Sequence, residues 1–100
     1  MRLRLSAEGG FAAVPGLRRP VTVDLDDLPE SDARAVRELV EGCDFFSLPD
    51  RIAAPAGAAD YREYTITAEN GDQQHTVRVP EIGAPPELLS LIDKLLLLSS

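Results

Sequence analysis

The chain has 100 residues, 44% hydrophobic and 27% charged, which is ordinary globular composition and the usual size of one domain around one core. Ten Lys and Arg against seventeen Asp and Glu give a formal net charge of -7, which excludes long-range attraction to nucleic acid or an anionic membrane and favours a basic or weakly charged partner. A single cysteine, Cys43, excludes an intrachain disulfide and any multi-cysteine metal site.

Residues 1–8 put Leu3, Leu5 and Ala7 on one face and Arg2, Arg4, Ser6 and Glu8 on the other, the period of a half-buried strand. This alternation differs from the apolar run of a secretory signal, so a cytoplasmic location is expected. Gly9-Gly10 then offers a two-residue turn into a second strand, with Ala7 opposite Ala12, Leu5 opposite Val14 and Phe11 opposite Glu8 on the solvent side. Phe11 has two readings. In a longer or bulged hairpin it turns inward; in a tight one it is an exposed aromatic, the residue type that dominates interface hot spots. Pro15-Gly16 stops the strand, and residues 20–25 supply a third with Val21, Val23 and Leu25 inward.

Asp26-Asp27-Leu28-Pro29-Glu30 is a helix-start signature, with acidic groups at the positive end of the dipole and a proline suited to the first turn. Ala33, Val36, Leu39, Val40 and Cys43 recur at helical spacing, and Gly42 lies near the end of the helix. Phe45, Phe46 and Leu48 follow at once and are expected to plug the core beneath the helix terminus. Residues 51–59 are small, aperiodic and broken by Pro55 and Gly57, which reads as a mobile loop.

Asn70-Gly71 predicts a tight hairpin. Counting outward from it pairs Glu69 with Asp72, Ile66 with His75, Thr65 with Thr76, Tyr64 with Val77 and Glu63 with Arg78. Tyr64, Ile66, Val77 and Val79 then face the core, while Glu63, Thr65, Thr76 and Arg78 face water, a sorting that a one-residue slip would destroy. Residues 80–86 make a turn, and 87–98 form a second helix with Leu88, Leu91, Ile92, Leu95 and Leu96 as its buried stripe. Leu89, Leu97 and Leu98 overflow that stripe, leaving a loop or a second copy of the chain to cover them.

The order β-β-β-α-β-β-α gives an α+β fold, with an antiparallel sheet of about four to five strands carrying both helices on one face. No catalytic constellation accompanies it, and neither a metal nor a cofactor is expected. His75, the one histidine, reads as a partly buried hairpin residue beside Ile66; Cys43 reads as a small core hydrophobe. Asp24, Asp26 and Asp27 lack calcium-loop spacing and read as a solvated helix start. Gly9-Gly10 leads into a strand, whereas a phosphate cradle needs a following helix.

Several short stretches, taken together in order and spacing, resemble the emfourin family of small protein inhibitors of protealysin-like (thermolysin-family) zinc metalloproteases. They are Glu8-Gly9-Gly10-Phe11-Ala12, Val14-Pro15-Gly16-Leu17, Pro20-Val21-Thr22-Val23, Leu28-Pro29 and Ala56-Gly57-Ala58-Ala59-Asp60-Tyr61 leading into Tyr64-Thr65-Ile66-Thr67. The resemblance implies a non-enzymatic protein that restrains a thermolysin-like protease in the cytosol. With one histidine and one helical cysteine, capture of the zinc by soft ligands is disfavoured against steric occlusion of the cleft. The expected protease-binding residues are Gly10, Phe11, Pro15, Gly16, Leu17, Asp60 and Tyr61. Phe11 or Leu17 could fill an apolar subsite, and Asp60 could approach the metal or a cationic rim. The competing reading is a protein-binding or dimerisation module without a protease target; as an inhibitor the chain is expected to be a monomer or weak homodimer.

Overall fold

A computed structural model describes residues 1–8, 20–58 and 61–99. Alternation at the start of the chain produces β1 (Arg2–Glu8), with Leu3 and Leu5 buried and Arg2, Arg4 and Glu8 exposed. β1 lies inside an antiparallel sheet of order β2-β1-β3-β4, where β2 is Val21–Asp24, β3 is Glu63–Asn70 and β4 is Gln73–Pro80. Leu5, expected opposite Val14, has Val21 on one side and Ile66 on the other. Val14 and the rest of the expected second strand lie outside the described residues. The described sheet therefore has four strands, within the expected range.

The β3–β4 register corrects the sequence expectation. Asn70 pairs with Gln73, Ala68 with His75, Ile66 with Val77, Tyr64 with Val79 and Glu63 with Pro80, a shift of two residues. The turn is made by Gly71 and Asp72, and Gly71 takes a φ of 63° while Asn70 stays in the strand. Glycine at the first central position is the type II′ requirement, and it displaces the Asn-Gly type I′ reading. Because the shift is even, every side chain keeps its face. Tyr64, Ile66, Val77 and Val79 are buried as expected, and His75 lies beside Ala68 rather than Ile66.

Both helices cover the apolar face. The Asp24 carboxylate accepts from the Asp26 N–H at 3.1 Å and caps a 3₁₀ turn, Leu25–Asp27. Pro29 then stands at the N-cap of α1 (Glu30–Gly42), and its carbonyl accepts from the Ala33 N–H at 3.0 Å. Ala33, Val36 and Val40 are the buried stripe of α1, with Leu39 and Cys43 packed at its border. The chain leaves α1 through Asp44, whose φ of 52° is left-handed, and enters a second 3₁₀ turn, Phe45–Ser47. Phe45 is only 1% exposed, edge-on to both Phe46 and His75 with ring centroids 5.8 Å apart, so the expected plug is formed.

α2 (Pro86–Ser99) buries Leu88, Leu91, Ile92 and Leu95, and Lys94 ties it to Asp32 of α1 at 3.2 Å. Leu89, Leu96 and Leu98 are half-buried against the core, so two of the three overflow leucines are covered within the chain. Leu97 is the third and is 69% exposed.

Candidate functional site

Antiparallel pairing sets Glu8, Glu63 and Pro80 in one row across β1, β3 and β4. The chain therefore leaves β1, enters β3 and leaves β4 at the same end of the sheet; β2 begins on that side too, with Val21 opposite Leu5. This topology gathers the boundaries of the two stretches singled out in the sequence. Gly10, Phe11, Pro15, Gly16 and Leu17 belong to 9–19, between Glu8 and Pro20, and Asp60 belongs to 59–60, between Ala58 and Tyr61; both stretches lie outside the described residues. Tyr61 is described, half-buried two residues before β3.

A polar frame holds this end. The Glu81 carboxylate accepts from Arg62 Nη1 at 3.2 Å and from the Tyr64 hydroxyl at 3.4 Å, and the Glu81 N–H donates to the Arg62 carbonyl at 2.8 Å. On the open sheet face, Glu63 stands between Arg78 at 3.2 Å and Arg51 at 3.6 Å, with its own side chain only 17% exposed. Exposed ion pairs contribute little stability. Their effect here is to fix the directions in which the strand ends point.

The small-residue loop is fastened to the same frame. The Arg78 N–H donates to the Asp50 carbonyl and the Ile52 N–H donates to the Arg78 carbonyl, each at 2.8 Å, so this segment covers part of the outer edge of β4. Farther on, Gly57 takes a φ of 80° in a turn closed by the Ala58 N–H and the Pro55 carbonyl at 3.1 Å. The Pro55 ring lies against Gly83 so closely that a Cβ there would meet its Cγ at 2.8 Å.

Sequence reasoning missed Arg62 and Glu81, and the cause is specific. The register counted from Asn70-Gly71 sets Glu81 opposite Asp60; the observed register, continued outward, sets it opposite Arg62. The Glu63–Arg78 pair survived the error because the two side chains share a face and meet on the diagonal.

His75 and Cys43 are each held by a backbone carbonyl. The His75 Nε2–H donates to the Leu48 carbonyl at 2.6 Å, and Nδ1 is 3.9 Å from Asp50. Cys43 donates to the Val40 carbonyl at 3.5 Å, and burial pushes its thiol above the ordinary value of 9.0, with the Asp44 and Glu87 charges adding to the rise. Among the described residues, no group of three His, Cys, Asp or Glu is placed to hold a metal ion.

Residues 5–96 match the sequence model of the Emfourin family. The chain belongs to the emfourin family. A solved structure described as "Emfourin (M4in) from Serratia proteamaculans, M4 family peptidase inhibitor" is similar to the chain, with 22% identity over 90% of this chain and 83% of that one and a TM-score of 0.47. Comparison with curated proteins gives no match. The emfourin match begins in β1 and ends in α2, so it spans the sheet, both helices and the two stretches that carry the expected binding residues.

Proposed function

We propose that this emfourin inhibits a thermolysin-like zinc metallopeptidase by laying residues from 9–19 and 59–61 into the active-site cleft. The observation that carries the reading is the family match over 5–96. Two further features support occlusion over capture of the zinc: the half-buried thiol of Cys43, bonded to the Val40 carbonyl, and the attachment of both stretches to one end of a sheet whose strands are locked by ladder pairing. Phe11 or Leu17 then supplies the apolar side chain for a subsite, Asp60 approaches the metal or a cationic rim, and Tyr61 braces the second stretch. A cytoplasmic location belongs to the same proposal, since there a prematurely active protease would meet the cell's own proteins.

The test is a titration of the protein into a thermolysin-like protease with a short peptide substrate and a serine protease as control. Selective loss of activity near one equivalent is expected; no effect at micromolar excess would discard the inhibitor reading in favour of a protein-binding module. Within an active pair, Phe11→Ala should weaken inhibition by about tenfold or more, the effect of losing a hot-spot aromatic, with the melting temperature nearly unchanged. A large fall in melting temperature would instead make Phe11 a core residue. Asp60→Asn examines the carboxylate separately, and unchanged inhibition would remove Asp60 from the site.

A further inference from the structure

Asn70 is the one asparagine of the chain, and a glycine follows it. The observed hairpin gives the turn to Gly71 and Asp72 and leaves Asn70 as the last residue of β3, paired across the ladder with Gln73. Both Asn70 and Gly71 stand in water at the hairpin tip. Among the described residues, neither the Asn70 side-chain amide nor the Gly71 N–H makes a hydrogen bond. A Cβ built on Gly71 would meet nothing within 4 Å, so the space around its backbone is open.

This arrangement has a definite chemistry. An asparagine side chain carries a carbonyl carbon one short step from the backbone nitrogen of the next residue, and a glycine there sets no side chain in the way. The Gly71 nitrogen gives its proton to solvent and bonds to the Asn70 side-chain carbonyl carbon; the C–N bond of the amide breaks and its nitrogen leaves as ammonia. The resulting succinimide is then opened by water. Attack at one carbonyl leaves aspartate at position 70, and attack at the other routes the main chain through the former side chain, as isoaspartate. No oxidation or reduction is involved. Ring closure requires Asn70 to rotate out of the extended conformation, which breaks only the last ladder pair, and the ends of such elements open at little cost in free energy.

We propose that Asn70-Gly71 is a site of spontaneous, one-way modification in the folded protein, with water as its co-reactant, and that conversion loosens the β3–β4 hairpin. Two consequences of the product act in the same direction. Asn70 shares a groove of about 250 Å³ with Glu41, Asp44 and Phe46, so a carboxylate at position 70 joins two others on a chain whose net charge is already -7. Isoaspartate also lengthens the main chain beside the Asn70–Gln73 pair, which costs the ladder its closing register. The site lies at the end of the sheet away from Glu63 and Pro80, and it stands whether or not the chain inhibits a protease.

The test holds wild type and Asn70→Gln at pH 8 in native buffer, with a urea-unfolded wild-type sample in parallel. Released ammonia is measured, and the tryptic peptide 63–78, which contains the site whole, is followed by mass and by isoaspartyl methyltransferase labelling. Folded wild type is expected to convert within about tenfold of the unfolded rate. A slower folded rate overturns the proposal, since the hairpin then protects the site. Asn70→Gln should stay unconverted, because its longer side chain closes a ring far more slowly; equal ammonia release there would assign the reaction to Gln73 or Gln74 and overturn it. Converted wild type, separated by anion exchange on its added charge, should melt below the unconverted protein. An unchanged melting temperature would overturn the loosening of the hairpin.

Discussion

The two faces of this sheet are built from the same strands and differ in what a substitution should cost. On the helix-covered face, Leu3, Leu5, Ile66, Val77 and Val79 are all fully buried, in one cluster with Phe45 and the stripes of both helices. On the other, Arg2, Arg4, Thr22, Glu69, Thr76 and Arg78 stand in water. Alternation along each strand assigns folding to one set of residues and leaves the other set free to vary. Recognition can therefore change on the open face without endangering the core.

The largest expected effect lies on the covered face. Phe45→Ala removes a ring that is 1% exposed and touches both Phe46 and His75, and it should cost about 3–5 kcal/mol in urea unfolding. Thr76→Ala on the open face loses its hydroxyl pair with Thr67 and should cost no more than about 1 kcal/mol. Comparable losses from the two variants would break the division of labour between the faces.

Two glycines sharpen the contrast at the sheet's two ends. Gly71 and Gly83 both have positive φ, 63° and 81°, so alanine strains the backbone at either, by about 1 kcal/mol or more. At Gly71 the new Cβ meets nothing within 4 Å, while at Gly83 it collides with the Pro55 ring. Gly83→Ala should therefore lower the melting temperature more than Gly71→Ala, and it should speed proteolytic nicking of the 53–58 loop. Equal losses would mean that Pro55 yields freely and that the loop is not fastened at Gly83.

Much of the fold was legible because burial leaves a periodic trace. Leu3 and Leu5 announced β1, Val36 and Val40 announced α1, and Leu88, Leu91, Ile92 and Leu95 announced α2. The β3–β4 hairpin was legible in face but not in register, because an even shift leaves the hydrophobic pattern unchanged and only turn geometry separates the alternatives. Asn70-Gly71 pointed to one turn, whereas Gly71-Asp72 forms. The site was less legible for a different reason. Arg62 and Glu81 are brought together across the strands, 19 residues apart in sequence. Composition shows that these residues exist; only the strand order shows what stands beside them.

Cys43 provides the smallest of these tests, at the rim of the covered face. Burial raises its thiol above 9.0, so the folded state holds that proton more tightly than the unfolded chain does. The resulting contribution is fully present below the unfolded value and is lost as pH rises through 9 towards the folded value. Urea midpoints at pH 7, 9 and 10 should therefore fall more steeply for wild type than for Cys43→Ser, since the other titrating groups are shared. At pH 8 the thiol should also react with an aromatic disulfide reagent more slowly than an unstructured cysteine peptide, because less of it is thiolate. Parallel pH profiles together with rapid labelling would place Cys43 in water and move the border of the covered face inward to Val40.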